Sequence, residues 1–375
     1  MAEYDVVVVG LGVMGSAALH RLARRGKRVL GIEQFLPGHD RGSSHGETRL
    51  IRLAYFEDAS YVPLLREAYG LWRELEEESD RSLMTITGIL EIGTPDGELV
   101  SGTLASSRLH SLPHDVMTAD ETMKRFPALV VPSGYTGVFQ PDGGYLAAES
   151  TVQAQIDLAL AAGVDIKADT HVDSIVPQGI GVRLKTSAGE IDAGAAVVTA
   201  GPWLNKLLPS LAAPLSVTRQ VLGWLSPAQP DQFTANKFPV FLFESELGLH
   251  YGFPVHGHSG LKISKHHHLR ERVDPDTCDR KVSPQDVAAI LDFRDKYLPS
   301  ADGPLTSSTT CVYTMTPDED FIIDHLPGLP QIVIASPSSG HGFKFAPVIG
   351  EIVSDLVTSG ATGRNISRFR LSRFG

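Results

Sequence analysis

The chain opens on Tyr4-Asp5-Val6-Val7-Val8-Val9-Gly10, a β-branched run that stops at glycine, as a strand covered on both faces of a parallel sheet does. The apolar period then changes. Ala17, Leu19, Leu22 and Ala23 fall on helical spacing between Ser16 and Gly26, with Arg24 and Arg25 in the last turn. A second apolar strand over 28–33 completes a βαβ unit. Amphipathic spacing predicts helices over 61–79, 150–163 and 346–358, and a more charged one over 283–297. Strands are expected at 164–166, 172–176, 195–199 and 331–335, with a hairpin over 181–191 turning at Ser187-Ala188-Gly189. Pro209, Pro230 and Pro239 mark loops. From about 213 to 320 short strands replace the βα alternation, which reads as a second domain.

The predicted fold class is therefore α/β: a discontinuous Rossmann-like domain over 1–85, 146–212 and 321–375, and an α+β substrate domain on a mixed sheet over 86–145 and 213–320. A 42% hydrophobic share and mean hydropathy of -0.02 describe a globular chain able to bury a sizeable core. A net charge of -11 repels polyanions, so no nucleic-acid partner is expected. No apolar run approaches the roughly 18 residues of a membrane span. Glu3 and Asp5 sit where a signal peptide needs positive charge, and two cysteines make no disulfide framework, so the cytoplasm is the expected compartment.

Gly10-Leu11-Gly12-Val13-Met14-Gly15 joins the first strand to its helix: Gly10 for a tight turn, Gly12 for approach of a pyrophosphate, Gly15 for helix–strand packing. Glu33, closing the second strand, is placed for an adenosine ribose. This motif leaves FAD and NAD undivided. Arg41 to Arg52 concentrates cations, hydroxyls and His45, as an anion site or a solvated loop does. Period two puts Lys262, Ser264 and His266 on one strand face and Lys265 and His267 on the other. His266, His267 and His268, with His250, His256 and His258, invite a metal reading, but adjacent strand histidines diverge, and no metal is expected. Cys311 lies in a threonine-rich strand, as open to an inert as to a reactive thiol, and Ser339-Gly340-His341-Gly342-Phe343-Lys344 precedes a helix as an anion site or a plain turn.

Taken together, these segments resemble the monomeric sarcosine oxidase family, which includes N-methyltryptophan and pipecolate oxidases. The resemblance runs nearly end to end and rests on the glycine loop, Gly42-Ser43-Ser44-His45-Gly46-Glu47-Thr48-Arg49-Leu50-Ile51-Arg52, Tyr251-Gly252-Phe253-Pro254, Lys262 with His266, Cys311 to Asp324, Ser339 to Lys344 and the closing Phe369 to Phe374. It implies FAD rather than NAD, thioether-bonded to Cys311, with Cys278 idle. Gly10, Gly12, Val13, Met14, Gly15, Glu33, Gln34, Ser43, Ser44, Arg49, Val172, Ala200, Gly201, Trp203, Gly340, Gly342, Phe343 and Lys344 fall where the family holds the cofactor. Arg52 and Lys344 would clamp the carboxylate of an N-methyl amino acid. His45, Tyr251, His266 and Tyr313 would line its pocket, positioning rather than acting as strong bases.

Lys262, with Arg49 close by, would stabilise the anion formed when O2 takes up electrons; one charge at roughly 4 Å and a dielectric near 20 is worth about 4 kcal/mol, on the order of a thousandfold in rate. The expected reaction is sarcosine + O2 + H2O → glycine + formaldehyde + H2O2, by a monomer. The alternatives are a larger secondary amine (N-methyltryptophan, pipecolate, proline), a flavin dehydrogenase serving a carrier, an NAD-linked dehydrogenase and a non-catalytic regulator.

Overall fold

In the computed structural model, which describes residues 3–209, 211, 215–257, 260–336 and 339–375, the valine run forms the strand Tyr4–Val9 at the centre of a sheet. His258 and the expected boundary at 212/213 lie outside the described residues. Parallel neighbours flank that strand, Val29–Ile32 on one side and Gly189–Val198 on the other, with Asp165–Lys167 beyond the first. Covered on both faces, Val6 to Val9 are buried, which is why the run is continuous rather than alternating.

The hairpin expected over 181–191 and the strand expected at 195–199 share one ten-residue strand. The first part of Gly189–Val198 pairs antiparallel with Gly181–Thr186; its end, Ala196 to Val198, pairs parallel with Ile332 to Ile334 of Leu329–Ser336. Along the strand, burial passes from alternating to continuous, so the hydrophobic period breaks where the backbone does not. The helices Val13–Arg24, Ala148–Ala161 and Ala346–Ser359 pack together over this sheet. A Cβ on Gly350 would lie 2.9 Å from the Ala17 carbonyl oxygen, so the first and last of them approach at backbone distance.

A second sheet runs, in spatial order, Leu305–Met315, Ser216–Leu225, Gly260–Lys265, Gly248–His256, Val240–Ser245, Ile89–Gly93, Thr136–Gln140 and Asp115–Thr118. Val240–Ser245 and Ile89–Gly93 are parallel and the other pairings antiparallel, giving the mixed sheet expected. Helix Pro284–Tyr297 seals it with Phe293, whose ring stacks on Phe241 at 5.8 Å. A smaller sheet, Thr48–Ile51, Gly144–Ala147 and Met84–Ile86, joins the two cores: Ile51, Leu146 and Met84 pack toward the first, Leu50 and Tyr145 toward the second. No described helix is long and apolar enough to cross a membrane.

Candidate functional site

The first cavity opens where the valine strand ends. Gly10 adopts φ +89°, and a Cβ on Gly15 would fall 1.8 Å from the Gly10 carbonyl oxygen, so neither position admits a side chain without distortion. The helix begins at Val13 rather than Ser16, immediately after Gly12, and its N-terminus borders the cavity. Glu33 is buried beside the glycine loop, accepting from Leu11 N at 2.7 Å and Phe35 N at 3.2 Å. Ser44 Oγ accepts from Val13 N at 3.0 Å, and Ser43 Oγ donates to the Val312 carbonyl at 2.6 Å.

Among the predicted cofactor residues, Gly10, Gly12, Val13, Met14, Glu33, Gln34, Ser43, Ser44, Arg49, Val172, Ala200, Gly201, Trp203, Gly340, Gly342 and Phe343 all line this cavity. Gly15 lies behind the wall, while Cys311 and Lys344 face a neighbouring space. The sequence reading missed His39 and Thr170, also at the lining, where Ser339 of the candidate anion segment lies too. A long channel from a helix N-terminus, past a buried acid, to a wall of small residues has the form and donor set for a dinucleotide.

The second cavity, about 60 Å³, shares Arg49, Tyr313, Gly340 and Phe343 with the first. It gathers Arg52, Tyr251, His266, Cys311 and Lys344 among the predicted site residues, together with the unpredicted Phe56, Glu57, Leu242, Phe253 and His341. Arg49 holds the junction through hydrogen bonds to the carbonyls of Ser43 (2.7 Å), His45 (2.5 Å) and Thr48 (2.8 Å). Arg52 is buried; its Nη2 lies 2.8 and 2.6 Å from the two Glu57 oxygens, an ion pair no sequence motif announces. Lys344 Nζ donates to the His341 carbonyl at 2.7 Å and lies 3.4 Å from Tyr55 Oη.

Lys262 and His45 line neither cavity. Lys262 Nζ is buried beneath the junction on Gly46 O (2.6 Å), Thr48 O (2.9 Å) and Thr48 Oγ1 (3.2 Å), with the Phe253 ring 4.8 Å away. His267 does not take the opposite face from His266. The strand ends at Lys265, His267 turns to φ +55°, and the two imidazoles come to 3.9 Å, because period two stops with the ladder. Among the described residues no group of three or more His, Cys, Asp or Glu is placed to hold a metal ion.

Burial and charge set the protonation states. Burial opposes ionisation of the Cys311 thiol, yet a hydrogen bond from His45 and the charges of His45, Arg49 and Lys262 hold it down at about 7. Burial, then Arg52, pushes Lys344 down to about 7. Burial, then Arg49, holds Lys262 well below the usual lysine range, and burial with the neighbouring His267 keeps the His266 imidazole neutral. Tyr251 and Tyr313 are raised by burial and remain hydroxyls.

Comparison with known proteins shows the family. The family described as FAD dependent oxidoreductase matches residues 5–356. The chain is 40% identical to a monomeric sarcosine oxidase of a Bacillus species, over 99% of this chain and 97% of that protein. It is 36% identical to an N-methyl-L-tryptophan oxidase of Salmonella heidelberg, over 99% of each. Among solved structures, NikD, an unusual amino acid oxidase essential for nikkomycin biosynthesis, superimposes with a TM-score of 0.85 at 28% identity, over 98% of this chain and 97% of that one. Glycine oxidase from Geobacillus kaustophilus, at 22% identity, shares the fold with a TM-score of 0.84 over 100% and 99% of the two chains.

Proposed function

We propose that this chain, which belongs to the FAD-dependent oxidoreductases and within them to the monomeric sarcosine oxidase family, oxidises a small secondary amino acid, sarcosine before others, and passes the electrons to O2. The observation that carries the reading is the pair Arg52 and Lys344 in a small cavity that abuts a dinucleotide channel. Bound there, FAD supplies the ring that accepts a hydride from the substrate carbon and releases the electrons to oxygen. The glycine loop and Glu33 are the residues to hold its adenosine and phosphates, and Cys311 to hold its ring covalently. The low-lying Cys311 thiol supports that last assignment.

Arg52 and Lys344 offer a carboxylate two cations from one side, and that pairing orients the rest of a small zwitterion. Glu57, already on Arg52, must share or yield the guanidinium. Cationic groups around the cavity and a neutral His266 disfavour a protonated amine, so the substrate nitrogen keeps the lone pair that hydride loss requires. Tyr251, Tyr313 and His266 then fix the amine by polarity, without a strong base. Lys262, one residue layer behind the junction, contributes positive potential where oxygen becomes anionic.

A volume of 60 Å³ holds roughly four to six water-sized spheres. A space of that size supports sarcosine ahead of the larger N-methyltryptophan. A monomeric state follows the name the sarcosine oxidases carry.

The test mixes purified protein without air with sarcosine, N-methyltryptophan, pipecolate or proline and follows loss of the yellow colour, then measures peroxide in air. Fastest bleaching by sarcosine with stoichiometric peroxide is expected; bleaching by N-methyltryptophan alone overturns the substrate assignment. Acid precipitation should leave the colour with the protein and release it from Cys311→Ala.

A further inference from the structure

Arg52 stands between two acids. On the cavity side is Glu57; behind it, Glu91 Oε1 lies 3.7 Å from Arg52 Nη1. Glu91 belongs to the strand Ile89–Gly93, is 0% exposed and does not line the cavity. A closed circuit ties it to the backbone beyond Arg52. Gln140 Nε2 donates to Glu91 Oε2 at 2.5 Å, Ala54 N donates to Gln140 Oε1 at 2.9 Å, and Arg52 Nη1 donates to the Ala54 carbonyl at 2.8 Å. One atom is left over: Glu91 Oε1 makes no hydrogen bond of good geometry among the described residues, although the hydroxyl of Thr103, from the neighbouring helix Glu98–Leu109, stands near enough to favour the charged carboxylate.

The charged groups around Glu91 are few. Arg52 and Glu57 face it from the segment after Thr48–Ile51, with Lys344 and His341 on the far side of Glu57. The strand Thr136–Gln140 contributes only the amide of Gln140, and Glu244, on the adjoining strand, turns to the Leu99 N–H at 3.3 Å. A substrate carboxylate arriving on Arg52 and Lys344 adds an anion to this buried cluster, and a proton taken up on Glu91 or on Lys344 offsets it. Neutralising one resident acid costs less than burying the surplus charge. Glu57 is the wrong acid for that, since Arg52, His341 and Lys344 hold it below its usual range against burial. Glu91, pushed up to about 7 by burial, gives way first.

Resting on the reading of the cavity above, we propose that Glu91 is a positioning residue that takes up a proton as the substrate carboxylate binds, freeing Arg52 from its rear partner so that the guanidinium turns to the cavity. The proton comes from solvent and resides on the carboxyl of Glu91.

The test uses the flavin-loaded protein and methoxyacetate, a carboxylate with no amine to oxidise. Calorimetric titration in two buffers of different ionisation enthalpy should show uptake rising from near zero at about pH 6 toward one proton at about pH 8, with Kd weakening up to about tenfold per unit above 7. In Glu91→Gln the uptake disappears and Kd is flat with pH. Uptake retained in Glu91→Gln overturns the proposal and assigns the proton to Lys344; binding without uptake in the unaltered protein overturns it while leaving the cavity's function intact. No binding to the unaltered protein removes both. Should Glu91→Gln be insoluble, Thr103→Val, which removes a hydroxyl that favours the charged acid, should shift the midpoint upward, and an unmoved midpoint overturns the proposal.

Discussion

The two cavities meet at Arg49, Tyr313, Gly340 and Phe343, yet they are built on opposite plans. The first is shaped largely by backbone: a glycine turn, a helix start and the ends of parallel strands, with Gly10 packed against the Thr199 carbonyl. The second is walled by side chains from 49–57, the central strands of the mixed sheet, Cys311 to Tyr313 and Gly340 to Lys344. In the first a fault is steric and stays local. In the second each charged group sets the protonation of its neighbours, as Lys344, Glu57 and Glu91 show.

The largest expected effect breaks the steric plan. Gly15→Ala drives a methyl into the Gly10 carbonyl, beyond the roughly 1–3 kcal/mol of ordinary overpacking, and should yield little soluble flavoprotein. Gly12→Ala meets only the Ser44 hydroxyl, at 3.2 Å, and should keep flavin at reduced affinity; flavin per chain, read by absorbance, separates the two, and equal loading would end the local-steric account. Next, Lys262→Met should leave bleaching by substrate without air intact and slow the return of colour in air by up to about a thousandfold, the full figure requiring that the buried ammonium keep its charge. Reoxidation at the unaltered rate sinks the electrostatic role.

On the side-chain plan, Arg52→Met should retain its flavin and raise KM by about a hundredfold or more, since removing one partner of a buried charge pair costs about 2–5 kcal/mol. A KM change below about threefold would mean that Lys344 binds the carboxylate alone. In flavin-free Cys278→Ser, thiolate absorbance should appear as pH rises through about 7, and Arg49→Met should move that midpoint up, because a cation favouring the thiolate is gone. The smallest effect belongs to the rim. Lys206→Ala breaks exposed ion pairs to Asp274 and Asp276 beside the first cavity and should change flavin affinity by no more than about twofold.

The heart of the first plan was legible in the chain because the glycine loop and its flanking elements are contiguous. Gly10 to Gly15, the valine strand and the helix after it sit within a short span, and local sterics leave little choice of geometry. Arg52, Lys344, Tyr251 and His266 were legible through family resemblance, and the structure brings them to one cavity. Glu57, Glu91, Thr103 and Gln140 carried no signal. Glu91 lies mid-strand in a span, 84–140, where short strands and helices alternate too briefly for periodicity to mark them. His267 was misplaced because a left-handed turn after Lys265 ends the alternation.

By itself, then, the sequence determined the nucleotide-binding βαβ unit and the α/β class, because hydrophobic period and glycine sterics act between residues a few positions apart. Only the tertiary structure decided which acids stand beside Arg52 and how far each cation is stripped of water. Those are properties of what surrounds a side chain in space, and the strands that supply the surroundings are separated along the chain by other elements.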